Sequence, residues 1–182
     1  RLIFIPKFGI VAIGRSKKEA KIAGDLAEAT VDIISKAESL GKFTSISEKE
    51  IFKVEYWALE QDKLKNQKRA ELTGNVTVIS GGCGVIGLSI AREFLKNGSE
   101  VVLLENNSTN IKNTPEDIAK LATIIKCDVT NDKEVRAAIS KVVNTYGGVD
   151  IMVSNAGAAW QGEIGKVNSK ILKESFDLNF YA

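Results

Sequence analysis

Histidine is missing from this chain of 182 residues. Its absence excludes zinc sites of the usual kinds, and Ser-His or Cys-His nucleophilic machinery, within the chain itself. Cysteine is nearly missing too. Cys83 and Cys127 lie far apart without metal-ligand spacing, so no metal is expected. Two unpaired thiols suit a reducing, cytoplasmic setting. Long apolar runs are lacking as well: VTVI from Val76 and VVLL from Val101 are strand-sized, well short of the roughly 20 residues that span a bilayer. No secretory signal is visible, and no membrane partner is expected. Charge of one sign is also lacking. Lys and Arg number 25 against 23 Asp and Glu, and a net +2 is too small to argue for nucleic acid. The lysines are dispersed along helical segments and read as solvated faces.

What is present is the composition of a globular protein, 44% apolar and 26% charged, long enough for one good core or for one domain with part of another. The chain opens on Arg1 and the apolar run LIFI, and closes on FDLNFYA from Phe176, inside a helical pattern. The expectation is a segment of a longer protein, cut at both ends.

Two parts differ in pattern. In the first, LIFI (from Leu2) and IVAI (from Ile10) flank PKFG, which has the Pro and Gly of a hairpin connection. Ser16 and Glu19 have capping-box spacing, and Ala20, Ala23, Ala27, Thr30, Ile34 and Ala37 recur at helical spacing up to Gly41. Ser47 and Glu50 repeat the box and open a helix carrying Ile51, Phe52, Val54, Trp57 and Ala58. A polar tether, QDKLKNQKR from Gln61 to Arg69, follows.

From Asn75 onward strands and helices alternate, which is the signature of a parallel sheet covered by helices. Strands are expected at Val76–Ile79, Val101–Leu104, Thr123–Cys127 and Ile151–Ser154, and helices at Val85–Lys96, after TPED, from Thr130–Asp132 to Tyr146, and at Ser169–Tyr181. In TPED, Thr114 reads as the N-cap and Pro115 as the first helical residue. The fold class is therefore α/β, a doubly wound parallel sheet over residues 75–182, incomplete at the C-terminus. A small α+β segment over 1–66 and a linker over 67–74 precede it.

Between the first strand and its helix lies SGGCGVIG, Ser80 to Gly87. Gly82, Gly84 and Gly87 satisfy G-x-G-x-x-G in the context that lets backbone N–H groups and a helix N-terminus face a phosphate. A tight strand-to-helix turn is the other reading. No Lys-Ser or Lys-Thr pair follows, so a P-loop is excluded. Glu105 ends the second strand, where a carboxylate can accept both hydroxyls of an adenosine ribose. Alone, it is equally a solvated strand-end acid. Its followers Asn106, Asn107 and Ser108 are neutral, and nothing local offsets an additional 2′-phosphate, which favours NAD over NADP.

Asp128-Val129 after the third strand and SNAG, Ser154 to Gly157, after the fourth bring in a family. Residues from about 73 to 182 resemble the short-chain dehydrogenase/reductase family. SGGCGVIG looks like its Thr-Gly-x-x-x-Gly-x-Gly turn, Asp128-Val129 like its Asp-Val pair, and SNAG like its Asn-Asn-Ala-Gly strand end. The resemblance implies a turn of Ser80, Gly81, Gly82, Cys83, Gly84, Val85, Ile86 and Gly87 around the cofactor. It further implies Asp128 at the adenine amino group, and Asn155, Ala156 and Gly157 beside the cofactor's ribose. Asn179 matches the helix asparagine that helps hold a water in the family's proton relay; a helix polar group bonding the backbone is its other reading. Ser80 and Ser154 are mild departures, whereas Val85 stands where the family has its middle Gly. Gly81, Gly84 and Gly87 also fit the Gly-x-x-Gly-x-x-Gly register of the family's extended branch. The family's Tyr-x-x-x-Lys occurs nowhere in this chain, so its catalytic Ser, Tyr and Lys are expected after residue 182.

The first part, with KKEAKIA from Lys17 and VEYWALEQ from Val54, resembles the tail of a class II aldolase domain. Such a tail precedes a short-chain dehydrogenase in bifunctional rhamnulose-phosphate aldolase/lactaldehyde dehydrogenase proteins. With no histidine, this segment is not expected to cleave an aldol. The resemblance implies an NAD-dependent oxidoreductase of rhamnose metabolism, acting on a small hydroxy-aldehyde or alcohol and homo-oligomeric in full length. Two other readings stay open: a dinucleotide-binding or sensor module without turnover, and an adenosine-binding methyltransferase, which does not account for SNAG.

Overall fold

The computed structural model describes residues 1–59, 62, 70–163 and 165–182. The chain divides into two compact units, Arg1–Arg69 and Ala70–Ala182. Most of the expected tether, and the start of the expected linker at 67–69, lie outside the described residues.

In the first unit β1 (Leu2–Ile5) pairs antiparallel with β2 (Gly9–Ala12), Leu2 opposite Ala12 and Ile5 opposite Gly9. The turn between them places Lys7 at a left-handed φ of 65°. Helix α1 (Lys17–Leu40) starts where Ser16 Oγ accepts the Glu19 N–H at 3.2 Å. The returning Glu19 carboxylate reaches the Arg15 N–H (3.0 Å), one residue before the partner that a capping box predicts. The expected inner face holds, with Ala27 buried and Ala20, Ala23, Ile34 and Ala37 half-buried. Thr30 departs from it: exposed, its hydroxyl donates to the Leu26 carbonyl. Helix α2 (Glu48–Glu55) has both arms of its capping box, Glu50 N–H to Ser47 Oγ and Ser47 N–H to Glu50 Oε2. It ends before Trp57 and Ala58, which the periodicity had placed on it.

The second unit is a parallel sheet of β3 (Val76–Ser80), β4 (Glu100–Glu105), β5 (Thr123–Lys126) and β6 (Ile151–Val153), in the order β5-β4-β3-β6. Around it lie α3 (Val85–Lys96), α4 (Ser108–Lys112), α5 (Glu116–Ala119), α6 (Asp132–Tyr146) and α7 (Ser169–Phe176), which runs into a π-helical turn, Asp177–Tyr181. Alternate residues of the strands build two cores, because side chains on a strand point to opposite faces. Val76, Val78, Val102, Leu104 and Ile125 pack with Ala138 and Val142 of α6. Ile79, Val101 and Leu103 pack with Ala91 of α3 and Ile118 of α5. Both faces are buried, so β3 and β4 read as continuous apolar runs rather than alternating ones.

Two local readings are corrected. Thr114 caps nothing: its hydroxyl donates to the Asn110 carbonyl, and Pro115 takes the N-cap position of α5. The reason is an additional helix, α4, capped by Asn107 Oδ1, which accepts the Thr109 and Asn110 N–H groups and draws Thr114 onto its last turn. Among the described residues, no helix is long and apolar enough to cross a membrane.

Candidate dinucleotide site

Strand order reverses at β3, whose neighbours β4 and β6 lead away on opposite sides, and a crevice opens at the carboxyl ends of strands at such a point. The glycine turn sits there. Gly81 has φ +59°, a conformation L side chains rarely adopt, and a Cβ on it would come within 3.0 Å of Ala156 Cα. A Cβ on Gly87 would strike the Gly81 carbonyl oxygen and lie 2.8 Å from Gly82 Cα, so the start of α3 packs directly on the turn. Gly82 and Cys83 are buried and Gly84 is the N-cap of α3, with no side chain capping the helix. The free N–H groups of that first turn, beside the positive end of the helix, are suited to an anion.

Val85 is the first residue of α3 and 86% exposed, and Ile86 is exposed beside it. The valine that replaces the family's middle Gly therefore displaces no protein atom.

Ser80 faces the protein. Its Oγ accepts the Asn155 and Ala156 N–H groups, each at 3.0 Å, and Asn155 Nδ2 returns to the Ser80 and Gly81 carbonyls at 2.9 and 3.1 Å. These bonds clasp the ends of β3 and β6, making Ser80 and Asn155 positioning residues. Gly157 plays a similar part: a Cβ there would lie 2.9 Å from Asn179 Oδ1. The Asn179 side chain is committed to backbone, its Oδ1 accepting the Ala158 N–H (3.1 Å) and its Nδ2 donating to the Ala158 and Ser175 carbonyls (2.9 Å each). It ties the strand end to the π-helical turn.

Glu105 ends β4 at the crevice. It is 7% exposed; Oε2 accepts the Cys83 N–H (3.2 Å) and Oε1 the Asn107 N–H (3.0 Å). A carboxylate has about four acceptor sites, so both oxygens keep capacity for further donors. Beside it lies a cavity of about 520 Å³ whose lining includes Gly81, Glu105, Asp128, Val129, Ala156 and Gly157. The structure thus brings Gly81 of the turn, both carboxylates, Val129 and the Ala156-Gly157 end of SNAG to one cavity, while Gly82 to Gly87 and Asn155 lie outside its lining. Burial pushes the Cys83 thiol above the usual thiol range, with a Thr114 hydrogen bond opposing and the Glu105 charge adding, and the thiol stays neutral. Asn106, Asn110, Ala158 and Leu178 also line the cavity. Sequence reading had not placed them there; only the position of Asn106 directly after Glu105 hinted at it.

Residues 75–182 match the family model for short chain dehydrogenase, and residues 1–64 that for the aldolase class II second domain. The uncharacterized oxidoreductase YuxG of Bacillus subtilis (strain 168) is 35% identical over 165 residues, 87% of this chain and 24% of that protein. L-fucose dehydrogenase of Oryctolagus cuniculus is 35% identical over 89 residues, 49% of this chain and 31% of its own length. The chain thus spans about a quarter to a third of these relatives. Ligand-free aldohexose dehydrogenase of Thermoplasma acidophilum superposes with a TM-score of 0.54 at 27% identity, over 63% of this chain and 42% of that one. An actinorhodin polyketide ketoreductase solved with NADPH gives 0.56 at 27% identity, over 59% and 42%.

Proposed function

Residues 75–182 belong to the short-chain dehydrogenase family, behind a class II aldolase second domain, and from that premise we propose that this chain carries the NAD-binding part of an oxidoreductase for small hydroxy-aldehydes or alcohols. The observation that carries the proposal is the Glu105 carboxylate, buried at the cavity and held by the Cys83 and Asn107 N–H groups. Its two remaining acceptor sites suit the two hydroxyls of an adenosine ribose.

A 2′-phosphate in the same place would set like charges together, at a cost of several kcal/mol at about 4 Å in a partly buried site. Asn106 and Asn107 offer it no cation. The preference for NAD over NADP follows. The turn suits the pyrophosphate: Gly81, Gly82 and Gly87 pack too closely for Cβ atoms, the Gly82 N–H is taken by the Leu104 carbonyl, and the N–H groups at the start of α3, which no side chain caps, are the donors. Bound NAD would supply the hydride acceptor for an alcohol carbon. This chain's own residues hold the cofactor: Ser80, Asn155 and Asn179 position the strand ends, and Glu105 and Asp128 take the adenosine half.

The substrate class is supported by the match of residues 1–64 to the second domain of a class II aldolase, an enzyme class whose reaction releases aldehydes, and by relatives named for sugars, L-fucose and aldohexose dehydrogenases. Lactaldehyde is the proposed substrate, and a homo-oligomer the proposed assembly of the longer protein. A second reading is dinucleotide binding without turnover, which the Glu105 cavity supports equally. The full-length protein, assayed with lactaldehyde and NAD or NADH beside a calorimetric titration, separates the two. NAD-linked turnover supports the dehydrogenase, binding without turnover supports the second reading, and failure to bind either dinucleotide overturns both.

A further inference from the structure

We propose that Asn106 is a positioning residue that sets the base selectivity of this site, by holding Asp128 as an acceptor for a 6-amino purine. The proposal rests on the cofactor reading above. Asn106 Nδ2 lies 3.1 Å from Asp128 Oδ2. An ionised carboxylate only accepts, so the amide nitrogen faces Asp128 and the amide oxygen faces away. The other carboxylate oxygen, Oδ1, takes the Thr130 N–H (2.9 Å) and the Thr130 hydroxyl (2.7 Å), which fills its two lone pairs. The Asp128 main chain is held as well, its N–H donating to Glu134 Oε2 at 2.9 Å.

The carboxylate is thus fixed from three sides, and its free acceptor capacity is the second lone pair of Oδ2, next to Asn106. Asp128 shares the cavity with Val129, Ala156 and Leu178, apolar walls that suit the faces of a planar ring. An amino group on that ring donates to Oδ2. A ring carbonyl in its place sets lone pairs against a negative charge, and the carboxylate cannot turn away while Asn106 and Thr130 hold it. Removing the Asn106 amide frees Oδ2 to swing from the base and weakens the discrimination, without touching Glu105 or the turn.

The test is calorimetric titration of the chain with NAD and with nicotinamide hypoxanthine dinucleotide, in which a carbonyl replaces the adenine amino group. The wild type should favour NAD by about tenfold, the size expected for one hydrogen bond to a charged group. Asn106→Ala should cut that ratio to about threefold or less, chiefly by weakening NAD, and Asn106→Gln, which keeps an amide donor, should recover part of it. Asn106→Leu carries the same expectation as Asn106→Ala should the latter not fold. An unchanged ratio in a variant that still binds NAD overturns the proposal and leaves the cofactor reading standing. Failure of the wild type to bind either dinucleotide overturns both.

Discussion

Helix α1 of the first unit runs for 24 residues and buries one of them, Ala27, whereas β3 of the second unit is buried at each of its 5 positions. The two units use different means. In the first, turns and caps specify the elements: the Lys7 turn, the Ser16 cap and the two-armed Ser47–Glu50 box are local interactions. In the second, strands distant in sequence share two apolar layers, and local signals are confirmed by packing. A strong helix signature is therefore no guide to a core, and a site that needs rigid positioning belongs on the second unit.

Core truncation should break the symmetry most. Leu103 is 0% exposed and packs under the turn, a Cβ on Gly82 meeting its Cβ at 2.7 Å, whereas Ile3 is 47% exposed. Leu103→Ala should cost about 2–5 kcal/mol, and Ile3→Ala about 1 kcal/mol or less. Amide hydrogen exchange, read separately over the two units, checks the contrast; equal losses would erase it.

Cap removal should have a smaller effect, about 1 kcal/mol at each site. Ser47→Ala should melt α2 locally, raising exchange over Glu48–Glu55 alone, because that helix has no buried residue. Asn131 Oδ1 accepts the Lys133 and Glu134 N–H groups at the start of α6, a helix anchored by Ala138 and Val142. Asn131→Ala should therefore lower the stability of the whole second unit instead.

The smallest effect concerns pH. Cys83 and Cys127 both lie in the second unit, and burial raises both thiols, with Glu134 and Asp128 adding at Cys127. A raised thiol pKa means that the folded state keeps its proton longer than the unfolded one. Stability is then unaffected below the ordinary thiol pKa and falls as pH rises above about 9. Denaturant titrations across that range should show the fall in the second unit, and Cys83→Ala should reduce its slope.

Much of this was legible in the chain. The bounds of α3 follow from the glycine turn at one end, Asn97-Gly98 at the other and helical periodicity between. The parallel sheet follows from strand–helix alternation, and the site from four motifs that each end a strand or begin a helix. Helix α4 was not legible, since STNIK has one apolar residue and no periodicity to show. Its presence is also why Thr114 lost its capping role. Nor was the Asn106–Asp128 bond, or the acceptance of the Asn155 and Ala156 N–H groups by Ser80 Oγ; for Asn179 backbone bonding was one of two open readings, but its partner Ala158 was not legible. Such pairings join residues far apart in sequence through a register that only the assembled sheet supplies.

The central claim is that Glu105 makes this an NAD site, and a paired titration of NAD and NADP against the wild type and Glu105→Gln tests it most directly. The wild type should bind NAD at least about tenfold more tightly than NADP, and Glu105→Gln should bring the two affinities together, by weakening NAD and by relieving the repulsion of the 2′-phosphate. Hydrogen exchange at Cys83 and Asn107 would report how far the substitution disturbs the turn. Equal NAD and NADP affinities in the wild type, or a ratio unmoved by the substitution, would contradict the account.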